Sequence, residues 1–396
     1  MESVTARSWL VPVVGLLLAV FAVVSGELVL AGLLPPVAAD FGVEIPTAGL
    51  LITAYAAAVA LASPLLAVLT AGIPRRRLLI ATMILFVAGD VLCAVAQDYW
   101  MLLAARILVA TFHGLFFGIA MVFAARLAPP GRQATAVSLV LAGVNAATIL
   151  GMPLGTAIGN GYGWRATFWI LAAIAALAAL VLLWLVPKDK SGGVTRPDFA
   201  AEFRAATQPA ILICYLNIIF ALLGVFTLVS YISPILTEGH GIPIAYVPWV
   251  LFAMGICGFF GNLLAGRLGD WNGVVTMIGS LSINVVILAV LGSLSNLGWS
   301  VVILLCAFQL VGFCFPAPVQ TRILKEAAAA PNLASTLISS AFNVGIALGA
   351  ATGGAAIASG WAYAQLPWVT AIASGCALIG TLGLLAYDRR RKAVPA

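Results

Sequence analysis

Four ionisable side chains lie inside apolar stretches of the sequence, where each needs a partner, water or a chemical role. They are Glu27, Asp90, Arg106 and His113. A charged group in hydrocarbon costs at least about 2.5–3.5 kcal/mol, so such residues often mark proton or ion pathways. A carboxyl group gains or loses a proton as its surroundings alternate between apolar contact and a neighbouring cation. The four residues predict proton coupling, with Glu27 as the main carrier, Arg106 as its electrostatic partner and His113 as a relay.

The same residues also have structural interpretations. Asp90 and Arg106 flank one short polar break, so both lie about 10 Å from the turn of a helical hairpin and can form a static ion pair. Glu27 competes for the same guanidinium or is held by hydrogen bonds alone. His113 can serve as a hydrogen-bonded packing residue. The sequence leaves open which carboxylate pairs with Arg106.

Twelve apolar stretches must position these residues. A helix needs about 20 apolar residues to cross the hydrocarbon core, and this chain of 396 residues is 63% hydrophobic and only 8% charged. The predicted fold class is therefore all-α and integral to the membrane. The first stretch contains Glu27 and lacks a small-residue cleavage site, so we expect it to stay in the membrane. We predict helices at 9–34, 47–70, 78–97, 100–125, 134–157, 165–187, 209–236, 245–268, 273–293, 299–324, 333–358 and 366–387.

A repeat divides these helices into two groups of six. An offset of 198 residues aligns Gly151 with Gly349 and repeats the pattern Asn-x5-Gly-x3-Gly in helices five and eleven. Under this offset the four ionisable residues align with apolar ones. Transporters built from repeated halves bind substrate between the halves. We predict an N-terminal six-helix bundle carrying the proton-coupling residues at 1–187, a cytoplasmic linker at 188–208 and a C-terminal six-helix bundle at 209–396.

The basic residues predict the orientation in the membrane. With the N-terminus in the cytoplasm, only Arg165 of the 19 Lys and Arg falls in an outer loop, and only Arg106 lies inside a helix. Such a bias is typical of cytoplasmic loops. Both termini are therefore predicted to be cytoplasmic, and the net charge of +6 needs no nucleic-acid partner to explain it.

Enzyme chemistry finds no support in the sequence. The six cysteines lie singly in apolar stretches, without metal-ligand spacing or a disulfide framework. No nucleophile and base pair, nucleotide-binding loop or soluble catalytic domain is visible. We expect no enzyme activity, no metal and no cofactor, with the proton gradient as the energy source.

Further polar and aromatic residues in the apolar stretches are candidates for a substrate cavity. Interhelical hydrogen bonding is an equally common use of buried amides, and most aromatic side chains in a helix bundle simply pack. The cavity candidates are Tyr55, Phe117, Asn145, Asn217, Phe226, Tyr231, Gln309 and Asn343.

Two segments carry a family resemblance. The segment Leu103-Ala-Ala-Arg106-Ile-Leu-Val-Ala-Thr-Phe-His113-Gly114 resembles the helix-four signature of the major facilitator superfamily. The segment that begins at Gly143 and ends Gly151-Met-Pro153-Leu-Gly155 resembles the helix-five antiporter motif associated with exporters. The resemblance implies the major facilitator fold, with two pseudo-symmetric six-helix bundles.

Other segments refine the resemblance and show one departure from it. Residues 25–35 and 163–168 are similar to the drug:proton antiporter branch, which includes arabinose, sugar and chloramphenicol exporters. Ala71 and Gly72 occupy loop positions where the superfamily usually has Asp-Arg. The equivalent loop of the second half keeps the acidic position as Asp270, which we predict to act as a cytoplasmic latch.

We therefore expect a proton-coupled secondary transporter that exports a small organic molecule of drug, sugar or nucleoside type by alternating access. Its expected setting is the bacterial cytoplasmic (inner) membrane, where it acts as a monomer with protons, lipid and substrate as partners. A proton-coupled nutrient importer of the same fold is the first alternative, opposed by the antiporter motif. A membrane-embedded sensor, scaffold or intramembrane enzyme is the alternative of another class.

Overall fold

The protein is a bundle of long helices. The computed structural model describes residues 9–70, 72–129, 131–186, 203–204, 206–294, 297–327 and 331–393. In chain order the helices are α1 (Leu10–Leu28 and Leu30–Phe41), α2 (Ile45–Leu69), α3 (Arg75–Ala94), α4 (Tyr99–Leu127), α5 (Gln133–Ala146, the π turn Ala147–Gly151 and Met152–Tyr162), α6 (Trp164–Leu185), α7 (Pro209–Val229, Ile232–Pro234 and the π turn Ile235–Gly239), α8 and α9 (the two arms of Val247–Ser293), α10 (Ser300–Gly312 and Pro316–Glu326), α11 (Pro331–Ala358) and α12 (Leu366–Ala393).

The segment Val247–Ser293 makes two crossings. As one straight helix its 47 residues would run about 70 Å, more than twice the roughly 30 Å of a hydrocarbon core. The backbone leaves helical geometry at Asn272, with φ −161° and ψ 99°. Beyond that point the Thr276 hydroxyl donates to the Leu268 carbonyl at 2.8 Å, so the chain reverses there. The described part of the chain has eleven segments able to span a membrane, and this one counts twice, which confirms the predicted twelve helices.

The first helix runs further than the sequence predicts. Its predicted end, at residue 34 before Pro35 and Pro36, is wrong because the helical segment Leu30–Phe41 contains both prolines. A proline removes its own N–H and crowds one carbonyl, and membrane helices tolerate this where neighbours satisfy the freed groups. The interruption of α1 lies instead at Val29, between its two segments.

Both described ends of the chain lie on the side of the bundle that carries most of the basic residues, here named the basic end. Twelve crossings return the chain to the side on which it began. At this end Arg76 donates from Nε to the Val186 carbonyl at 2.8 Å and from Nη2 to the Leu183 carbonyl at 2.7 Å, which ties α3 to α6. The predicted linker, 188–208, lies mostly outside the described residues.

The 198-residue offset relates contacts as well as residues. Gly151 of α5 packs on the side chain of Ser25 in α1, and Gly349 of α11 packs on the carbonyl of Leu223 in α7. Both members of the second pair lie 198 residues after those of the first. The two halves therefore pack their fifth helix on their first in the same way, as a pseudo-symmetric pair of six-helix bundles requires.

Gly143 offers a test of the close packing between α1 and α5. A β-carbon on Gly143 would lie 2.6 Å from the Leu17 carbonyl oxygen and 3.2 Å from the Phe21 nitrogen. Because these are main-chain atoms, the helices must separate to admit it. We expect Gly143→Ala to lower the free energy of unfolding by about 1–3 kcal/mol, measured as thermal unfolding in detergent.

The matched control is Gly118→Ala in α4, because a β-carbon there meets no atom within 4 Å. Alanine is the better helix former, so this change should be neutral or stabilising by up to about 1 kcal/mol. Equal melting temperatures for Gly143→Ala and Gly118→Ala would show that close contact at Gly143 does not limit stability.

Candidate functional site

The four ionisable residues and one tyrosine come together inside the N-terminal half. Glu27 lies on α1, Tyr55 on α2, Asp90 on α3, and Arg106 and His113 on α4. Arg106 is 1% exposed, Asp90 5% and His113 7%. Four helices therefore converge on a polar cluster that water in bulk does not reach.

Arg106 binds the interrupted part of α1. Its Nη1 donates to the Gly26 carbonyl at 2.5 Å and its Nη2 to the Glu27 carbonyl at 3.3 Å. The last carbonyls of a helix lack partners within that helix, and the segment Leu10–Leu28 ends one residue after Glu27. The guanidinium thus satisfies carbonyls that would otherwise lack a hydrogen-bond partner inside the bundle.

Tyr55 connects the arginine to the histidine. The Arg106 guanidinium carbon lies 4.2 Å from the centre of the Tyr55 ring, a distance at which the ring face attracts a cation. The Tyr55 hydroxyl oxygen lies in hydrogen-bond contact with His113 Nδ1 at 3.0 Å. The same nitrogen is 3.7 Å from Glu27 Oε2. A small displacement of the Glu27 side chain would bring carboxyl and imidazole into hydrogen-bond contact.

The two carboxyl groups remain separate from the guanidinium. Among the described residues no ion pair joins Arg106 to Glu27 or to Asp90. Asp90 Oδ1 lies beside Gly26, at 3.9 Å from the position a β-carbon would take there. Arg106 Nε has no hydrogen-bond partner. The carboxyls therefore keep their oxygens available for a proton or a ligand, while main-chain carbonyls hold the cation.

A small cavity connects the cluster to the C-terminal half. Glu27, Tyr55 and Arg106 form its N-terminal side, whereas Phe226 and Ser230 belong to the C-terminal half. The remaining lining residues are apolar: Leu28, Ala31, Ile52, Ala56, Val229 and Ile346. Glu27 is thus the acid of the cluster that borders the interface between the halves.

The interface is closed at the end opposite to the basic end. Tyr231 is 0% exposed and its hydroxyl donates to the Ala350 carbonyl of α11 at 2.9 Å. Its ring end lies directly against Gly49 of α2 and Gly354 of α11, and any β-carbon on Gly49 would overlap the hydroxyl. Tyr231 therefore fills the space between the halves and closes the interface at this end.

The other predicted cavity residues lie away from this cavity. The Asn217 amide donates to the Thr381 hydroxyl at 3.1 Å, joining α7 to α12. Asn343 donates to the Ser339 carbonyl at 3.0 Å and has an unpartnered Oδ1. Gln309 is buried, and Phe117 and Asn145 are half-buried. Of the predicted set, the structure gathers Tyr55 and Phe226 around Glu27.

The predicted antiporter motif forms the face of α5 that packs on α1. Gly143, Gly151 and Gly155 all contact α1, and Pro153 follows the π turn Ala147–Gly151. One extra residue per turn in a π segment rotates the rest of the helix, a device common at functional sites. The predicted latch residue, Asp270, is exposed at the basic end.

Ser230 is a lining residue that the sequence reasoning missed. It lies four residues after Phe226, which places both on one helix face. Helical spacing from Phe226 was therefore a usable signal. Ile346 and Val229 carried no such signal, because nothing in an apolar helix separates a cavity-lining aliphatic residue from a packed one.

Two repeated six-helix bundles, with a small cavity between them that a buried acid borders, are the architecture of secondary membrane transporters. The model of the Major Facilitator Superfamily matches residues 16–329, and the chain belongs to that family. It is therefore a multi-pass membrane protein that binds small-molecule substrates within the membrane and transports them, and it is not an enzyme.

Named relatives and solved structures agree with this assignment. The chain is 36% identical over 369 residues to "Inner membrane transport protein YdhP" of Escherichia coli strain K12, covering 93% of this chain and 94% of that protein. It is 31% identical over 379 residues to "Uncharacterized MFS-type transporter YfhI" of Bacillus subtilis strain 168, covering 96% and 94%.

A bacterial homologue of the human lysosomal transporter Spinster shows the same fold. Its inward-facing, occupied structure is similar with a TM-score of 0.71 at 17% identity, covering 98% of both chains. Its inward-facing, unoccupied structure gives 0.69 at 18% identity, covering 97% of this chain and 96% of that one.

The anchoring of α1 by Arg106 predicts that lysine cannot replace it. An ammonium group is a point charge and cannot reach two carbonyls and a ring face with the geometry of a planar guanidinium. Hydrogen bonds from a charged group contribute about 1.5–3 kcal/mol each. We expect Arg106→Lys to lower the free energy of unfolding by at least that amount, measured by thermal unfolding in detergent.

Arg165→Lys is the control. Arg165 also contacts a carboxylate (Asp40, 2.6 Å), a carbonyl (Ala96, 2.7 Å) and a ring face (Trp164, 4.3 Å). Its side chain is 37% exposed, so water replaces lost contacts and the change should cost at most about 1 kcal/mol. A melting temperature for Arg106→Lys as high as that for Arg165→Lys would contradict the anchoring role.

Proposed function

We propose that the protein is a proton-coupled exporter of a small organic molecule, with Glu27 as the proton carrier. The observation that carries the proposal is the position of the Glu27 carboxyl, which borders both the buried cluster and the cavity between the halves. Protonation at that position changes the charge of the cavity wall. It therefore changes the affinity for substrate and the contact between the halves together.

The orientation follows from the basic end. Loops rich in Lys and Arg stay in the cytoplasm, so we place the basic end and both termini there, in the inner membrane. The closed end with Tyr231 then faces outward. Asp270, exposed at the basic end, is in place to act as a latch when that end closes.

The halves divide the work between them. We assign residues 1–187 as the proton-coupling bundle and 209–396 as the bundle that moves against it, joined by the linker 188–208. His113 and Tyr55 form a relay to Glu27, and Asp90 stabilises the arginine without entering the cavity. The cavity has a carboxyl, a guanidinium, a phenol and a hydroxyl beside aliphatic walls. Its volume here is about 10 Å³, room for about one water molecule, so the halves must separate before it admits a drug, sugar or nucleoside with a few polar groups. The transporter needs no second subunit to complete this site.

Export rather than import is favoured by α5. Its glycine face and π turn keep α5 against α1, the arrangement that the resemblance associates with antiporters. The proton and the substrate then compete for the cavity instead of entering together. A nutrient importer would need both bound at once beside Glu27.

Glu27→Gln tests the proton carrier. Glutamine keeps the shape and hydrogen bonding of a protonated carboxyl but cannot release a proton. In inverted membrane vesicles, where the cytoplasmic face is outside, we expect the wild type to take up a labelled phenicol, sugar or nucleoside at the expense of an acidic lumen. Glu27→Gln should lose this pH-driven uptake and keep a thermal shift with the same compound.

Glu44→Gln is the matched control. Glu44 is an exposed acid at the end of the bundle opposite to the basic end, so its replacement should leave uptake unchanged. Full pH-driven uptake by Glu27→Gln would remove Glu27 from the mechanism. Substrate efflux from vesicles with an acidic lumen would indicate an importer instead.

Gly49→Leu tests closure at Tyr231. A leucine side chain at Gly49 would overlap the Tyr231 hydroxyl, so the closed interface cannot form and the population shifts toward states open at that end. Ser230 is 0% exposed, so a cysteine at this position becomes accessible to a reagent only when the end closed by Tyr231 opens. We expect a membrane-impermeant maleimide, applied to whole cells, to label Ser230→Cys several-fold faster in the Gly49→Leu background, after subtraction of labelling without Ser230→Cys.

The control background is Gly279→Leu in α9, where a β-carbon meets no atom within 4 Å. Labelling of Ser230→Cys there should match the parent protein. The same labelling rate in the Gly49→Leu and Gly279→Leu backgrounds would rule out Tyr231 as the residue that closes the outer end.

A further inference from the structure

A second cavity lies between α5 and α8, apart from the one that Glu27 borders. It has a volume of about 470 Å³, within the range of sites that hold small ligands. One wall is formed by Leu150, Leu154 and Asn160 of α5, and the other by Trp249 and Phe252 of α8. Because α5 belongs to the N-terminal half and α8 to the C-terminal half, this crevice also lies on the interface.

The crevice opens sideways, toward lipid. Leu154 is 55% exposed and Trp249 is 69% exposed, as expected for side chains on the membrane-facing surface. Toward the middle of the membrane it is closed, since a β-carbon on Gly255 would lie 2.8 Å from the Thr148 carbonyl oxygen and 2.9 Å from the Ile149 Cα. A ligand can therefore enter from the bilayer but cannot pass directly to the middle of the interface.

The side-chain amide of Asn160 lacks hydrogen-bond partners. Both atoms of its amide, Nδ2 and Oδ1, are buried and have no hydrogen-bond partner. A side-chain amide is both donor and acceptor, and a buried amide without a partner is unfavourable. Asn160 is within one turn of the end of α5 at Tyr162, and Trp249 is in the first turn of α8. Both thus lie at the level where lipid headgroups begin.

We propose that this crevice binds a neutral amphiphile from the surrounding bilayer leaflet. Rotation of the Asn160 side chain, which breaks no hydrogen bond, turns its buried amide into the crevice. A hydroxyl of the headgroup then donates to Asn160 Oδ1, a second oxygen accepts from Nδ2, and the chain lies along Leu150, Leu154 and Phe252. The headgroup is neutral because none of the described residues that line the crevice is charged. Glycerol esters and glycolipids share this chemistry of adjacent hydroxyl and ester or ether oxygens.

The bound amphiphile bridges two helices that must move apart or slide when the halves rock. It therefore stabilises the conformation in which the end with Tyr231 is closed. This consequence depends on the geometry of α5 and α8 alone and holds whether or not Glu27 carries the proton.

The test is a titration of the purified full-length protein with 1-monooleoylglycerol, followed by native mass spectrometry from detergent. Methyl oleate, which has the same chain and no hydroxyl, is the comparison ligand. We expect saturable binding of monooleoylglycerol to the wild type, about tenfold weaker binding to Asn160→Leu through loss of the amide contacts, and no change for methyl oleate.

A pair of tryptophan substitutions locates the site. Leu154→Trp fills the crevice and should abolish saturable binding, whereas Leu177→Trp, at a position equally exposed (55%) on α6, should bind as the wild type does. Melting temperatures of all variants establish that each is folded. Wild-type affinity of Asn160→Leu for monooleoylglycerol, or equal binding by the two tryptophan variants, would overturn the proposal.

Discussion

A positive charge that cannot reach water must be satisfied where it lies, and Arg106 is 1% exposed within an apolar bundle. The insertion cost of such a group is at least about 2.5–3.5 kcal/mol. The fold meets it with main-chain carbonyls from the interrupted α1 and with the ring face of Tyr55. These contacts tie α1, α2 and α4 together at one level. The interruption at Val29 and the buried arginine therefore depend on each other, since the helix end supplies acceptors and the arginine supplies donors.

Holding the cation by carbonyls has a consequence for the acids. A carboxylate paired with arginine at close range would remain ionised and would resist protonation. Here Glu27 and Asp90 lie near the positive charge of Arg106 but form no ion pair with it in the described part of the chain. The Glu27 carboxyl lies 3.7 Å from a nitrogen of His113. The C-terminal half has no counterpart to this cluster, because the offset of 198 residues places apolar residues at all four positions. It contributes Phe226 and Ser230 to the cavity and Tyr231 to the closed interface instead. We infer that one half holds the titrating groups and the other provides the surface that responds to them.

The number of helices, the buried charges and the repeat could be predicted from the sequence because each depends on local composition or on spacing along the chain. The partners of Arg106 could not, because two carbonyls of α1 are chemically identical to every other carbonyl and only the break at Val29 makes them available. Pro35 and Pro36 predicted an end to α1 that does not occur, because tertiary contacts in a membrane bundle can satisfy the groups that a proline frees. The π turn Ala147–Gly151 was invisible for a related reason. It rotates the end of α5 by one residue, so the helix faces predicted from a regular period no longer hold beyond it.

The two faces of α5 differ in how they pack, which explains how α5 can stay fixed against α1 and still move against α8. On the face toward α1, glycines bring main chains into contact, and Gly155 packs on Val29, at the interruption itself. The equivalent contact in the other half is that of Gly353 on Thr227, again displaced by 198 residues. On the face toward α8, contact is close at Gly255 and opens into the crevice beside Asn160. The α1 face is held at three glycines along its length, Gly143, Gly151 and Gly155, whereas the α8 face is close at Gly255 and open beside Asn160. Contact at several positions keeps two helices together, and a single close contact beside an open crevice lets one helix turn against the other. We infer that α5 moves as one body with α1 and turns against α8 about the contact at Gly255.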